Sequence, residues 1–151
     1  GLMRACEQRN VSINAIEGPV DTTRTMVSLM FQGGAAKFPD IKWIFSHSGG
    51  VTPFLLSRFE RHMIDAKDAK EKAPKGPLYE LRKFYYDTAQ ANAAGPLAAL
   101  LEMVPSSQVL YGSDYPYRTY DELNAGLGGF RGFTSTDLRA IERDNALRLL
   151  S

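Results

Sequence analysis

The segment Ile41 to Gly50, IKWIFSHSGG, constrains this chain most: an apolar run ends in a histidine, and a glycine pair follows at once. Such a run reads as a buried strand delivering His47 to the end of a sheet, and Gly49 and Gly50 let the backbone turn tightly beneath a ligand. Gln108 to Pro116, QVLYGSDYP, has the same shape, with Asp114 in the place of the histidine. Two strands that each end in an ionisable side chain predict an α/β enzyme whose site lies at the carboxyl ends of its strands.

The rest of the chain supplies the intervening helices. Asn10 to Ile16 alternates weakly and reads as a possible strand, broken by Glu17, Gly18 and Pro19. Asp21 is then the expected N-cap of a helix to about Lys37, which Gly33 and Gly34 weaken locally unless they admit another backbone closely. A strand over 42–46 follows. Pro53 suits the first turn of the next helix, which ends in a charged, solvated stretch. Leu78 to Phe84 reads as a short helix, 85–87 as a strand, and Pro96 as the opening of a helix that Pro105 stops. The strand over 109–111 comes next. Gly126, Gly128, Gly129 and Gly132 suggest a flexible connection to a last helix capped by Ser135 or Thr136. Three strands separated by helices pair naturally in parallel, so His47, Asp87 with Thr88, and Ser113 with Asp114 are expected to face the same way.

Composition narrows the function classes. The 151 residues fit one domain, 1–151, whose first sixteen residues are the least readable part. Eighteen basic against seventeen acidic residues leave no charge footprint for nucleic acid. No apolar run approaches the roughly 20 residues of a membrane span, so no membrane partner is expected. A single cysteine, Cys6, excludes an internal disulfide framework and fits a reducing cytoplasm.

Taken together, DTTR at 21–24, KFPDIKWIFSHSGG at 37–50, PFLLSR at 53–58, FYYDTA at 84–89, VLYGSDYPY at 109–117 and the closing DNALRLL at 144–150 resemble the C-terminal part of the amidohydrolase-related family. The branch is the one with aminocarboxymuconate semialdehyde, resorcylate and methylsalicylate decarboxylases alongside hydrolases. That resemblance implies a partial (β/α)8 TIM-type barrel, its last three or four βα units, with a divalent metal, usually zinc, in the intact enzyme. It implies Asp114 as a metal ligand that can also accept a proton, and His47 as the acid or base beside the metal. Arg58 is implied as the anchor of a small-molecule carboxylate substrate, in some members across a subunit interface. These roles suit the side chains: a carboxylate is a hard ligand, an imidazole exchanges protons near neutral pH, and a guanidinium forks onto a carboxylate.

Read without the resemblance, His47 is equally a hydrogen-bonded strand-end residue, Asp114 a turn residue and Asp87 a loop brace. The family's remaining ligands, a His-x-His or Glu-x-His pair and a further histidine, have no counterpart in a chain whose histidines are His47 and His62. One reading is therefore a metal-dependent hydrolase or decarboxylase that is incomplete as given. The other is a noncatalytic half-barrel that self-associates or complements a companion chain. A few strands cannot close a barrel, so Ile44, Phe45, Val109 and Leu110 are expected to leave apolar surface uncovered. A homodimer, or another homo-oligomer, is the expected cover, with the segment 10–16 as the alternative.

Overall fold

The strands form where the apolar runs put them. The computed structural model describes residues 11–65 and 68–151. Strands β1 (Ile44–Phe45), β2 (Tyr85–Asp87) and β3 (Val109–Leu110) lie side by side in chain order and run parallel. Ile44 pairs with Tyr85, and Asp87 with Leu110. Helices α1 (Ile13–Phe31) and α2 (Gly34–Lys37) precede the sheet. Helices α3 (Thr52–Asp65), α4 (Ala69–Lys72) and α5 (Pro77–Leu81) link β1 to β2, and α6 (Ala94–Met103) links β2 to β3. Helix α7 (Tyr120–Gly129) and a C-terminal helical run complete the chain. That run comprises α8 (Ser135–Arg139), a π-helical turn (Ala140–Asp144) and α9 (Asn145–Leu150).

The middle strand carries the core. Tyr86 is fully buried in one cluster with Met26 and Met30 of α1, Phe84, Leu97 and Leu100 of α6, Val109 and Ile141. Its hydroxyl donates to the Leu81 carbonyl at 2.8 Å, which satisfies the one polar atom that this burial isolates. Burial pushes that hydroxyl far above the usual tyrosine range.

Several expectations are corrected. The segment Asn10 to Ile16 is not a strand: Asn10 lies outside the described residues, and α1 begins at Ile13 and passes through Gly18 and Pro19, so Asp21 lies inside the helix and does not cap it. A proline in a helix removes one amide hydrogen bond and costs about 3 kcal/mol in isolation. Here tertiary contacts outweigh that local signal, because the Thr23 hydroxyl donates to the Pro19 carbonyl and this stretch packs on the glycine turn after β1. The same helix stops at Phe31, with Gly33 left-handed at φ 68°, rather than running to Lys37. The supposed flexible connection at 126–132 is instead mostly α7, held by buried Leu123 and Leu127 and capped by Thr119. Gly126 is there for a close approach, since a Cβ on it would lie 2.3 Å from Asn92 Nδ2. The cap of the last helix is Thr134, one residue before the expected pair.

The two edges of the sheet differ. In the π turn the Asn145 amide donates to the Ala140 carbonyl, one residue further back than in an α-helix, so the Ile141 carbonyl is left over. Tyr111 donates its amide to that carbonyl at 3.0 Å, and Asn145 Nδ2 donates to the Val109 carbonyl at 2.7 Å. The outer edge of β3 is thereby covered. Val109, Leu110 and Phe45 are 0%, 6% and 8% exposed, contrary to the expectation that they need a second copy to cover them. Only Ile44, 51% exposed on β1, remains open as expected.

Candidate functional site

The turn after β1 is built around its glycines. His47, Ser48, Gly49 and Gly50 all have positive φ, between 54° and 74°. A Cβ on Gly50 would lie 2.0 Å from the Pro19 carbonyl oxygen, so only glycine lets α1 approach. The Thr23 hydroxyl clamps the same turn: it accepts the Val51 amide at 2.9 Å and lies 3.2 Å from the Gly49 carbonyl oxygen. The DTTR segment thus meets the SHSGG segment through Thr23.

His47 is held at two points. Its backbone amide donates to Asp87 Oδ1 at 2.8 Å, and its Nδ1 lies 2.8 Å from the Ala89 carbonyl oxygen. A carbonyl only accepts, so Nδ1 carries the hydrogen and the neutral ring presents its lone pair at Nε2. Asp87 Oδ1 also accepts the Ala89 amide at 3.0 Å. Burial raises the Asp87 carboxyl above its ordinary value, and the His47 and Ala89 amides draw it partly back. Thr88 accepts the Gly112 amide at 3.1 Å. Asp87 and Thr88 brace the loops here, the bland reading of that strand end.

Asp114 leaves β3 through Gly112, whose Cβ, if it had one, would lie 2.8 Å from Asp87 Cγ. Its own φ is 54°, and its carbonyl accepts the Tyr117 amide at 2.8 Å in a tight turn. Gln90, also left-handed at φ 49°, donates its side-chain amide to Asp114 Oδ2. Each strand therefore sends one polar side chain from a left-handed residue, His47, Gln90 or Asp114, to a common cavity of about 800 Å³. Pro19, Val51, Phe54 and Pro96 supply apolar wall, and Arg118 joins the polar one.

His47 and Asp114 are thus brought together. Arg58 is not: it is exposed on α3 and does not line this cavity. His62, on the same helix, sets its ring edge-on against Phe31. Sequence reasoning missed Gln90 and Arg118. The signal for Gln90 was a single long polar side chain in a loop of alanines. As metal donors His47 and Asp114 make a pair only, and among the described residues no three His, Cys, Asp or Glu side chains converge. Two donors fall short of the three protein ligands of a catalytic zinc site, so this set does not hold an ion by itself.

The family model for amidohydrolases matches residues 1–151. The chain belongs to the amidohydrolase family. This amidohydrolase segment is 36% identical over 121 residues to the decarboxylase macB of Penicillium terrestre, covering 78% of this chain and 36% of that protein. It is 33% identical over 140 residues to the decarboxylase yanB of Aspergillus niger, covering 89% of this chain and 38% of that one. The chain therefore spans less than two fifths of the length of these curated relatives. Among solved structures, it superposes on an amidohydrolase II with a TM-score of 0.80 at 27% identity, over 91% of this chain and 44% of that one. A dihydroxybenzoic acid decarboxylase of a Polaromonas species, solved with manganese and 2-nitroresorcinol, gives a TM-score of 0.72 at 21% identity, covering 87% and 40%. That likeness is one of fold. The family resemblance drawn from the motifs is borne out.

Proposed function

We propose that this chain is the C-terminal part of a metal-dependent decarboxylase of small aromatic acids, with its three βα units as the last three of a (β/α)8 barrel. The observation that carries the reading is the shared cavity, in which an imidazole with a defined lone pair and a carboxylate stand at the ends of β1 and β3. The naming of the sequence relatives as decarboxylases favours this over hydrolysis. Exposed Ile44 marks β1 as the edge where a preceding barrel strand would pair.

In the reaction, the ring carbon that bears the carboxylate takes a proton, the bond to the carboxyl carbon breaks, and its electron pair returns to the ring as CO2 leaves. His47 delivers that proton from Nε2 in its imidazolium form, while the Ala89 carbonyl holds Nδ1–H and fixes the ring. Asp114 would supply one ligand of a divalent ion, whose remaining ligands would have to be residues other than those described. When bound, that ion supplies a Lewis acid; zinc and manganese both suit a carboxylate ligand. Gln90 holds one Asp114 oxygen and leaves the other for the ion. Pro19, Val51, Phe54 and Pro96 offer the ring an apolar surface. Arg58, outside the cavity of its own chain, would reach a substrate only from a neighbouring copy, which ties its role to self-association.

The test is turnover by the natural-length protein carrying this chain, supplied with Zn²⁺ or Mn²⁺. Loss of 2,6-dihydroxybenzoate or 6-methylsalicylate with one CO2 per molecule consumed is expected. Hydrolysis of amides or esters with no CO2 from any aromatic acid would replace the decarboxylase reading with the hydrolase one.

A further inference from the structure

We infer that Arg118, not Arg58, is the residue of this chain that binds the substrate's carboxylate within its own cavity. The inference rests on the aromatic-acid reading above and adds the anchor that reading lacks.

The cavity lining contains one permanently charged cation, Arg118, and one carboxylate, Asp114. Arg118 lies four residues after Asp114, and the turn closed by the Tyr117 amide on the Asp114 carbonyl brings the chain back to the same cavity. Among the described residues no hydrogen bond or ion pair is recorded for its guanidinium, whereas the neighbouring acids are engaged. Asp114 Oδ2 takes the Gln90 amide, and Glu122 Oε2 accepts both the Thr119 amide and the Thr119 hydroxyl, at 3.2 and 3.1 Å. Those bonds hold Glu122 below the usual carboxylate range, with Arg118 a lesser contributor. The guanidinium is therefore available for an anion from solution.

A planar fork of N–H donors matches a carboxylate in a way that no other lining side chain does. The same cavity is also lined by the apolar side chains of Pro19, Val51, Phe54 and Pro96, which suit a flat ring. The complementary ligand is a monocyclic aromatic acid, its ring on the apolar wall and its carboxylate toward Arg118. Because CO2 leaves without charge, this ion pair is strongest before the reaction. Arg118 accordingly holds the substrate more firmly than the transition state, and its loss should raise KM without lowering kcat.

The experiment titrates 2,6-dihydroxybenzoate and resorcinol, the same ring without the carboxylate, into the natural-length protein carrying this chain, without added metal, and measures each affinity by calorimetry. Wild type should bind the acid more tightly than resorcinol. Arg118→Met should weaken the acid by about tenfold or more, the loss of one charge-assisted pair, and leave resorcinol within about twofold. Arg118→Lys should recover part of that loss. Unaltered acid binding by Arg118→Met overturns this inference and leaves the decarboxylase reading standing. Failure of the wild-type protein to bind the acid overturns this inference, while turnover with CO2 release, measured separately, decides the decarboxylase reading.

Discussion

The backbone amide of His47 donates to Asp87 Oδ1 at 2.8 Å, and the same oxygen accepts the Ala89 amide at 3.0 Å. One carboxylate on the middle strand thus ties together the loops after β1 and β2. An asparagine keeps both bonds through its own Oδ1, whereas alanine strands two amides. Asp87→Ala should therefore destabilise the chain by about 2 kcal/mol or more, and Asp87→Asn should not. Urea denaturation of the two variants checks this.

The same residue gives a pH dependence. Burial raises the Asp87 carboxyl, so the folded chain holds that proton more tightly than the unfolded chain does. The stability it contributes is full below the ordinary value of 3.8 and is lost as pH rises through the raised folded value. Asp87→Asn should flatten the stability profile over that window, measured as urea midpoints from the acid range to neutral pH. An unchanged profile in the variant would mean that Asp87 ionises in the fold as it does in solution.

Gly50 adopts φ 67° and would put a Cβ 2.0 Å from the Pro19 carbonyl oxygen. Backbone cannot yield as a side-chain tip can, so Gly50→Ala adds steric conflict to a conformation that L-residues avoid. A loss of about 2 kcal/mol or more is expected, read as a lowered melting temperature. His47 amide shifts should move as well, since the turn carries that residue.

The buried Asn145 side chain donates to the Ser106 carbonyl at 2.8 Å and the Val109 carbonyl at 2.7 Å, fastening the C-terminal helix to the β3 edge. Both bonds need an N–H, which aspartate lacks. Asn145→Asp should therefore be at least as harmful as Asn145→Ala, each costing about 2 kcal/mol or more in urea denaturation.

The strands and their order were legible because apolar runs, glycine punctuation and intervening helices leave few topologies for parallel strands. His47 and Asp114 were legible as strand ends. What misled was local chemistry overridden by packing: Pro19 marks a break in any isolated helix, yet here the contact between α1 and the glycine turn keeps it helical. The glycines of α7 look like a linker until the capping box of Thr119 and Glu122 is counted, and that signal was in the sequence. Gln90 and Arg118 carry no spacing pattern of their own. Their place at the cavity follows from left-handed and tightly turned loops that only coordinates reveal.

Self-association follows from the edge that stays open. On β1, Ile44 is 51% exposed, and Phe38 and Ile41 just before it are 54% and 48% exposed. These side chains are already half buried, so covering what remains is worth about 1 kcal/mol each, and three of them approach the stability of a millimolar complex. The buried state of Val109, Leu110 and Phe45 removes the rest of the apolar drive first expected from an unclosed sheet. A two-fold pair formed through this edge should therefore be weak, seen as a light-scattering mass that rises toward two chains only near about 1 mM and falls on dilution. Ile44→Lys should return it to one chain while leaving the circular dichroism spectrum unchanged, because a charged residue on an edge strand opposes pairing without disturbing the core. A wild-type mass of one chain at that concentration would remove the dimer of this chain.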